Sequence, residues 1–285
     1  MAAPPEREIL PRRLEDLRRR LVECGSLTVA FSGGADSAFL LAAAVRALGK
    51  RHVVAATAVS PSLPESEAAA AAEFAAGLGV RHLTPSTGEL DREGYRVNAG
   101  DRCYFCKSEL MDVLAPLAAE QGTAYVATGT NADDAIAGFR PGIKAATERG
   151  AVTPLRDAGL TKAQIRAASR DWGLSTWDKP AAACLSSRIA YGVRVTEGGL
   201  FRVSRAERRL RAALHAAGLP VRDLRVRDMG DDVARVEVDA DHVAALTDRP
   251  DLLDAVEGFA SVVVDPRGFR SGSMNELLAD PETYR

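Results

Sequence analysis

Two kinds of apolar stretch alternate through the first half of the chain. Short runs at 27–32, 53–59, 80–84 and 124–128 are dense in small and β-branched apolar residues, while 36–48, 64–78 and 104–120 repeat apolar residues at helical spacing. A charged helical stretch at about 6–24 precedes them. Strand, helix, strand repeated in this order predicts a parallel sheet covered by helices on both faces, with right-handed connections and ligands at the carboxyl ends of the strands.

The second half has a different texture. Residues 129–160 and 175–195 show no sustained period and are rich in Gly, Pro, Asp and Thr, with a short helix at 161–173 between them. Irregular stretches of that length inside a compact domain usually serve function. From 196 onward a helix with Leu200, Val203, Leu210 and Leu214 on one side leads to strands at 222–228 and 233–238, a helical stretch at 241–256 and a strand at 260–264. The expected architecture is a large α/β domain over 1–192 and a smaller C-terminal α/β domain over 193–285, hinged near 190–197. In "DLRVRD" the strand period turns Leu224 and Val226 to the core and sets Arg225 and Arg227 together on the other face, a natural phosphate clamp that Arg270 would join unless the strand is simply exposed.

Composition narrows the function classes. With 46% hydrophobic and 27% charged residues among 285, the chain has an ordinary packed core. Its 37 basic and 39 acidic residues leave a net charge of -2, so there is no general attraction for nucleic acid. No apolar run nears the roughly 20 residues of a membrane span, and the charged start is unlike a signal peptide. A cytoplasmic protein that binds neither membrane nor nucleic acid is expected.

Two features carry chemistry. Ser32-Gly33-Gly34-Ala35-Asp36-Ser37 follows an apolar strand and opens a helix, so backbone amides and the helix N-terminus converge as a phosphate nest. Asp36 suits Mg²⁺ bound to those phosphates, and Ser32 and Ser37 supply hydroxyls; the plainer reading is a turn capped by Asp36 or Ser37. The hexad is neither GxxxxGK[ST] nor GxGxxG. Cys103 and Cys106 form a CxxC pair, and Cys184 follows in "DKPAAACLSSRIAYG". Three thiolates can ligate three irons of a [4Fe–4S] cluster; zinc, redox chemistry and unconnected cysteines are the alternatives. Cys24 fits the core.

Other residues have weaker claims. Asn131, Asp133 and Asp134 follow the strand at 124–128 and suit Mg²⁺ or substrate, or only an Asx turn. Arg140 and Lys144 suit anionic substrate groups, or a solvated loop. Lys179 and Arg188 flank Cys184 and would favour its thiolate, and Ser186 and Ser187 could donate to an adenylate oxygen. His52, His82, His215 and His242 stand alone and read as structural or surface residues.

"SGGADS" resembles the motif of the PP-loop ATP pyrophosphatases, in which it binds the β,γ-pyrophosphate of ATP while the substrate is adenylated. With "RCYFCK", "GTNADD", "FRPG", "PLRDAGLTKAQIR", "TWDKPAAACLSSR" and "GFRSGSMN" in this order, the chain from about 20 to about 278 resembles the LarE family of nickel-pincer cofactor assembly. The resemblance implies an adenine nucleotide alpha hydrolase-like fold and an ATP-dependent sulfur transferase that turns a carboxylate of pyridinium-3,5-biscarboxylic acid mononucleotide into a thiocarboxylate. It implies the cofactors ATP, Mg²⁺ and, from the three cysteines, a [4Fe–4S] cluster on Cys103, Cys106 and Cys184. Sacrifice of the Cys184 sulfur is the lesser route. Asp36, Cys184 and Glu207 become the expected catalytic residues, Glu207 as an acid–base group, and Arg188, Arg225, Arg227 and Arg270 the expected substrate contacts. A sulfide donor and a homo-oligomer are the implied partners. Competing readings are a tRNA thiolase, for which a basic RNA-binding module is missing, and a non-catalytic ATP-binding regulator, which leaves the cysteines unexplained.

Overall fold

The computed structural model describes residues 6–136, 140–180 and 184–278. Helix α1 (Glu6–Cys24) leads into β1 (Leu27–Ala30), α2 (Ala35–Leu48), β2 (Val53–Ala56), α3 (Glu65–Leu78) and β3 (Arg81–Leu83). After the short α4 (Glu93–Arg96), α5 (Arg102–Glu120) returns to β4 (Tyr125–Thr128). The four strands form one sheet in the order β3-β2-β1-β4, all parallel, with Leu27 level with both Val53 and Tyr125. As expected, helices cover both faces. Leu17 and Leu21 of α1, the Ala- and Leu-rich α2 and Ala71 and Ala75 of α3 pack on one face, and Met111, Leu114 and Ala118 of α5 on the other.

The stretch expected to be irregular contains α6 (Ala132–Ile136), α7 (Pro141–Glu148) and α8 (Pro154–Asp157) before α9 (Lys162–Asp171). Prolines 141 and 154 open two of these helices, the first-turn position where a missing N–H costs nothing. The capping box of Thr161 and Gln164 opens α9.

The C-terminal part is α10 (Glu197–Ala216) against a three-stranded sheet of β5 (Leu224–Asp228), β6 (Val233–Val238) and β7 (Ser261–Val264), in which β5 runs antiparallel and β7 parallel to β6. The long helix expected at 241–256 is not there. Only α11 (Val243–Thr247) forms, and Pro250, which disfavours helical geometry at Arg249 and has no N–H to give, starts a separate 3-10 turn. Helix α10 divides its apolar side: Ala206, Leu210 and Leu214 meet the small sheet, while Leu200 and Val203 pack with Tyr95, Leu185, Ile189 and Val195. The boundary expected at 192/193 therefore lies inside a packed cluster. Among the described residues, no helix is long and apolar enough to cross a membrane.

Candidate functional site

Beyond Ala30 the chain leaves the sheet and turns. Gly33 has φ 71, a left-handed conformation that favours glycine, and a Cβ there would press on Ala71 of α3 at 3.3 Å. Gly34 has φ -78 and is the N-cap of α2 without any side-chain cap, so the amides at the start of this helix stay open to an anion. The capped-turn alternative is not what forms: the Ser37 hydroxyl donates back to the Gly34 carbonyl at 3.1 Å and contacts the Ser32 hydroxyl at 3.1 Å. Gly129, just past β4, closes the turn from the other side, where a Cβ would stand 2.8 Å from the Ser37 nitrogen.

Asp36 is held by one oxygen. Its Oδ2 accepts from Asn131 Nδ2 at 3.1 Å, while Oδ1 is buried and has no hydrogen-bond partner. Burial raises its pKa, against the pull of Lys162 and the Asn131 bond. Asn131 also accepts from the amides of Asp133 and Asp134, so the Asx turn exists and aims its amide at Asp36. Of the two acids, Asp134 lines the cavity and lies 3.4 Å from Arg140, whereas Asp133 accepts from the Lys162 amide at the start of α9. Lys144 is exposed and off the cavity.

Cys103 and Cys106 share the start of α5, and Cys106 packs against the cluster that contains Leu185, the residue after Cys184. Cys103 lines the cavity, and Cys106, one helical turn on, is pushed up in pKa by burial and then by the charge of Cys184 and Glu89. Tyr95 is pushed up likewise, by burial and then by Cys184. Among the described residues, however, no group of three or more His, Cys, Asp or Glu side chains converges closely enough to hold one metal ion. Cys24 packs at the edge of the main core, as expected. Of the cations expected to serve the Cys184 thiol, Lys179 bonds Gly33 O and Glu67, and Arg188 gives Nη1 to the Cys184 carbonyl at 3.0 Å. Ser186 is fully buried against Tyr95, so of the two serines only Ser187 reaches the cavity.

Arg225 and Arg227 share a face of β5, as the strand period predicts, and that face is the cavity wall rather than solvent; they are 8% and 4% exposed. Arg227 pairs with the fully buried Glu237 at 2.7 Å and donates to Ser187 O at 2.9 Å. Arg225 lies over the Phe269 ring, its pKa pulled down to about 10 by burial and then by Arg188 and Arg227. Two expected residues differ in position. Glu207 stands off the cavity, its Oε1 accepting from Arg188 Nε and the Val226 amide and its Oε2 from Arg188 Nη2. Arg270 also stands off the cavity and bonds Gly268 O, Asp265 and Glu276, while Phe269 and Ser271 on either side line it.

These walls enclose one cavity of about 680 Å³ at the carboxyl ends of β1, β2 and β4. Its lining is strongly basic: Lys162, Arg166 and Lys179 beside the turn, Arg102 and Lys107 beside Cys103, and Arg225 and Arg227 opposite, against the acids Asp36 and Asp134. In a chain of net charge -2 this concentrates attraction for a polyanion in one place. Sequence reasoning missed Lys162, Arg166, Arg102 and Lys107. Lys162 and Arg166 are spaced i, i+4 on α9, a spacing that puts both on one face. Thr57, another wall residue, is braced by His82, whose Nε2 lies 2.8 Å from its hydroxyl; His52, His215 and His242 stand away from the cavity.

No family model matches the chain. It is 40% identical over 275 residues to the uncharacterised protein slr1717 of Synechocystis, covering 95% of this chain and 99% of that one. It is 34% identical over 268 residues to the pyridinium-3,5-bisthiocarboxylic acid mononucleotide synthase of Lactiplantibacillus plantarum, covering 93% and 92% of the two chains. The uncharacterised protein MJ0830 of Methanocaldococcus jannaschii is 24% identical over 176 residues, 61% of this chain and 66% of its own. Similarity of that extent to the synthase, on a parallel α/β sheet with the expected turn at its carboxyl edge, means that the chain belongs to the LarE family.

Proposed function

We propose that this chain is an ATP-dependent sulfur transferase that adenylates a carboxylate of pyridinium-3,5-biscarboxylic acid mononucleotide and exchanges one carboxylate oxygen for sulfur, in assembly of the nickel-pincer cofactor. The observation that carries the reading is one basic cavity with the turn at 32–37, Cys103 and the Arg225–Arg227 pair on its walls. The uncapped amides of α2 suit the departing pyrophosphate, and the buried arginines suit the substrate phosphate. A substrate carboxylate attacks the α-phosphorus and pyrophosphate leaves; a sulfur nucleophile then attacks the acyl carbon and AMP leaves with the oxygen. The step consumes no oxidant.

The residues fit the expected cofactors. Asp36, with a buried oxygen lacking a partner, and Asp134 nearby suit Mg²⁺, which would shield the triphosphate. Cys103, Cys106 and Cys184 would hold a [4Fe–4S] cluster, whose fourth iron is open to sulfide when the cluster is bound. The reading carries with it a cytoplasmic homo-oligomer supplied by a sulfide donor, with residues 193–285 holding substrate.

The test is anaerobic incubation with Mg²⁺, ATP and substrate, following pyrophosphate and thiocarboxylate, with iron and labile sulfide measured on the same sample and on Cys184→Ala. Pyrophosphate release that depends on the substrate is expected in both proteins, and thiocarboxylate only in the parent. No release from the parent sinks the reading. Thiocarboxylate from iron-free protein, with loss of sulfur mass at Cys184, would move sulfur supply to the sacrificial route.

A further inference from the structure

The cysteine-bearing segments are joined by a buried polar bridge. Asn98, five residues before Cys103, is fully buried at φ 58, a left-handed conformation that Asn tolerates better than most residues. Its Nδ2 donates to Ala190 O and Val193 O, both at 2.8 Å, and to Ile189 O at 3.3 Å. Its Oδ1 accepts from Arg102 Nη1 at 2.6 Å, and the same Nη1 donates to Ser186 O at 2.8 Å. Tyr95 hydroxyl to Ser186 hydroxyl, and the Val195 amide to Arg96 O, extend the bridge at its two ends. The stretch just before the CxxC pair is thereby bonded to the stretch just after Cys184.

Arg102 is 5% exposed and lines the cavity, yet its hydrogen-bond partners are neutral oxygens, and among the described residues no carboxylate pairs with it. A buried guanidinium is normally matched by an anion. The Arg102 guanidinium also lies 5.6 Å from the centre of the Tyr191 ring, a further contact with the stretch that follows Cys184.

We propose that Arg102 is a positioning residue that bolts the helix carrying Cys103 and Cys106 to the segment carrying Cys184, so that the three thiols stand together before metal or substrate arrives. The inference rests on the reading of these cysteines as one sulfur-handling set. The guanidinium acts as the donor that links Asn98 to Ser186 O.

The test is cross-linking of the metal-free full chain with a short bismaleimide, with peptides joining Cys184 to Cys103 or Cys106 counted by mass spectrometry, in the parent, Arg102→Met and Arg102→Lys. Iron uptake on reconstitution and thermal melting are measured beside it. The joined peptide is expected in the parent, reduced about tenfold in Arg102→Met together with iron uptake, since fixed geometry is what is lost. Arg102→Lys keeps an N–H donor that can reach one of the two oxygens and is expected between the two, and it carries the test if Arg102→Met fails to fold. Equal yields in the parent and a folded variant, or no joined peptide in the parent, overturn the proposal. These readouts need no turnover, so they stand apart from the pyrophosphate assay that tests the function.

Discussion

The ammonium of Lys179 donates to the carbonyl oxygen of Gly33 at 3.0 Å, tying the segment that leads to Cys184 to the turn that suits phosphate. The same nitrogen meets Glu67 of α3 at 2.7 Å, and the Lys179 carbonyl accepts from Arg166. A charge-assisted bond to the carbonyl of a left-handed glycine holds the peptide that shapes the nest. Replacing Lys179 with Met removes that support and one cavity charge. We expect ATP affinity to fall about tenfold, the loss of roughly 1.4 kcal/mol, with melting temperature little changed because the Lys179–Glu67 pair is partly solvated. Calorimetric titration with a non-hydrolysable ATP analogue checks this; unchanged affinity would mean that Lys179 supports only Glu67.

Asp36 sets stability against function. Its buried Oδ1 lacks a partner and burial raises its pKa, so the ionised carboxylate costs the ligand-free fold energy at neutral pH. Asp36→Asn keeps the shape and an oxygen for Asn131 while removing the charge. The variant is expected to be more stable by about 1 kcal/mol and to lose pyrophosphate release. Melting curves with and without Mg²⁺ and ATP decide it: a variant that melts lower than the parent, or still gains the parent's stabilisation from the nucleotide, contradicts the role.

The legible parts of this chain were those with a strong local cause. The sheet followed from period, and the turn followed from a strand running into two glycines, although only Gly33 needs its conformational freedom. Arg225 and Arg227 were found by alternation, but their burial was not, because the covering wall from Phe269 to Asn275 comes from a distant stretch. Arg102 was invisible for the same reason: its partners are a side chain four residues back and a carbonyl 84 residues on, and no spacing rule reports the second. Glu207 and Arg270 show the opposite case: both lie close in sequence to wall residues, and their side chains bond Arg188 and Glu276.

His82 ties part of the stability to pH. Thr57 spends its one hydroxyl proton on Phe31 O at 2.7 Å, so His82 Nε2 must be the donor to it, and burial lowers the His82 pKa from 6.5. A histidine with a depressed folded value binds more protons unfolded. Its stabilisation is therefore complete above 6.5 and is lost as pH falls through the folded value. His82→Gln can still donate to Thr57 but does not titrate. Between about pH 7.5 and 5.5 the parent should lose more melting temperature than the variant; parallel losses would leave His82 without this role.

Glu237 is fully buried and accepts from Arg227, Arg235 and Ser273, so it is the charge that keeps Arg227 in place on the cavity wall. Glu237→Gln leaves two guanidiniums against a neutral amide. Breaking a buried pair from one side costs about 3 kcal/mol, mostly as an uncompensated charge. That cost should be recovered in part by any anion that binds between Arg225 and Arg227. Nicotinate mononucleotide or inorganic phosphate is then expected to raise the melting temperature of Glu237→Gln by more than it raises that of the parent, although the variant starts lower. A variant that starts lower and responds no more than the parent would show that Arg227 faces the protein and not the ligand, and the phosphate clamp would have to be sought on Lys162 and Arg166 instead.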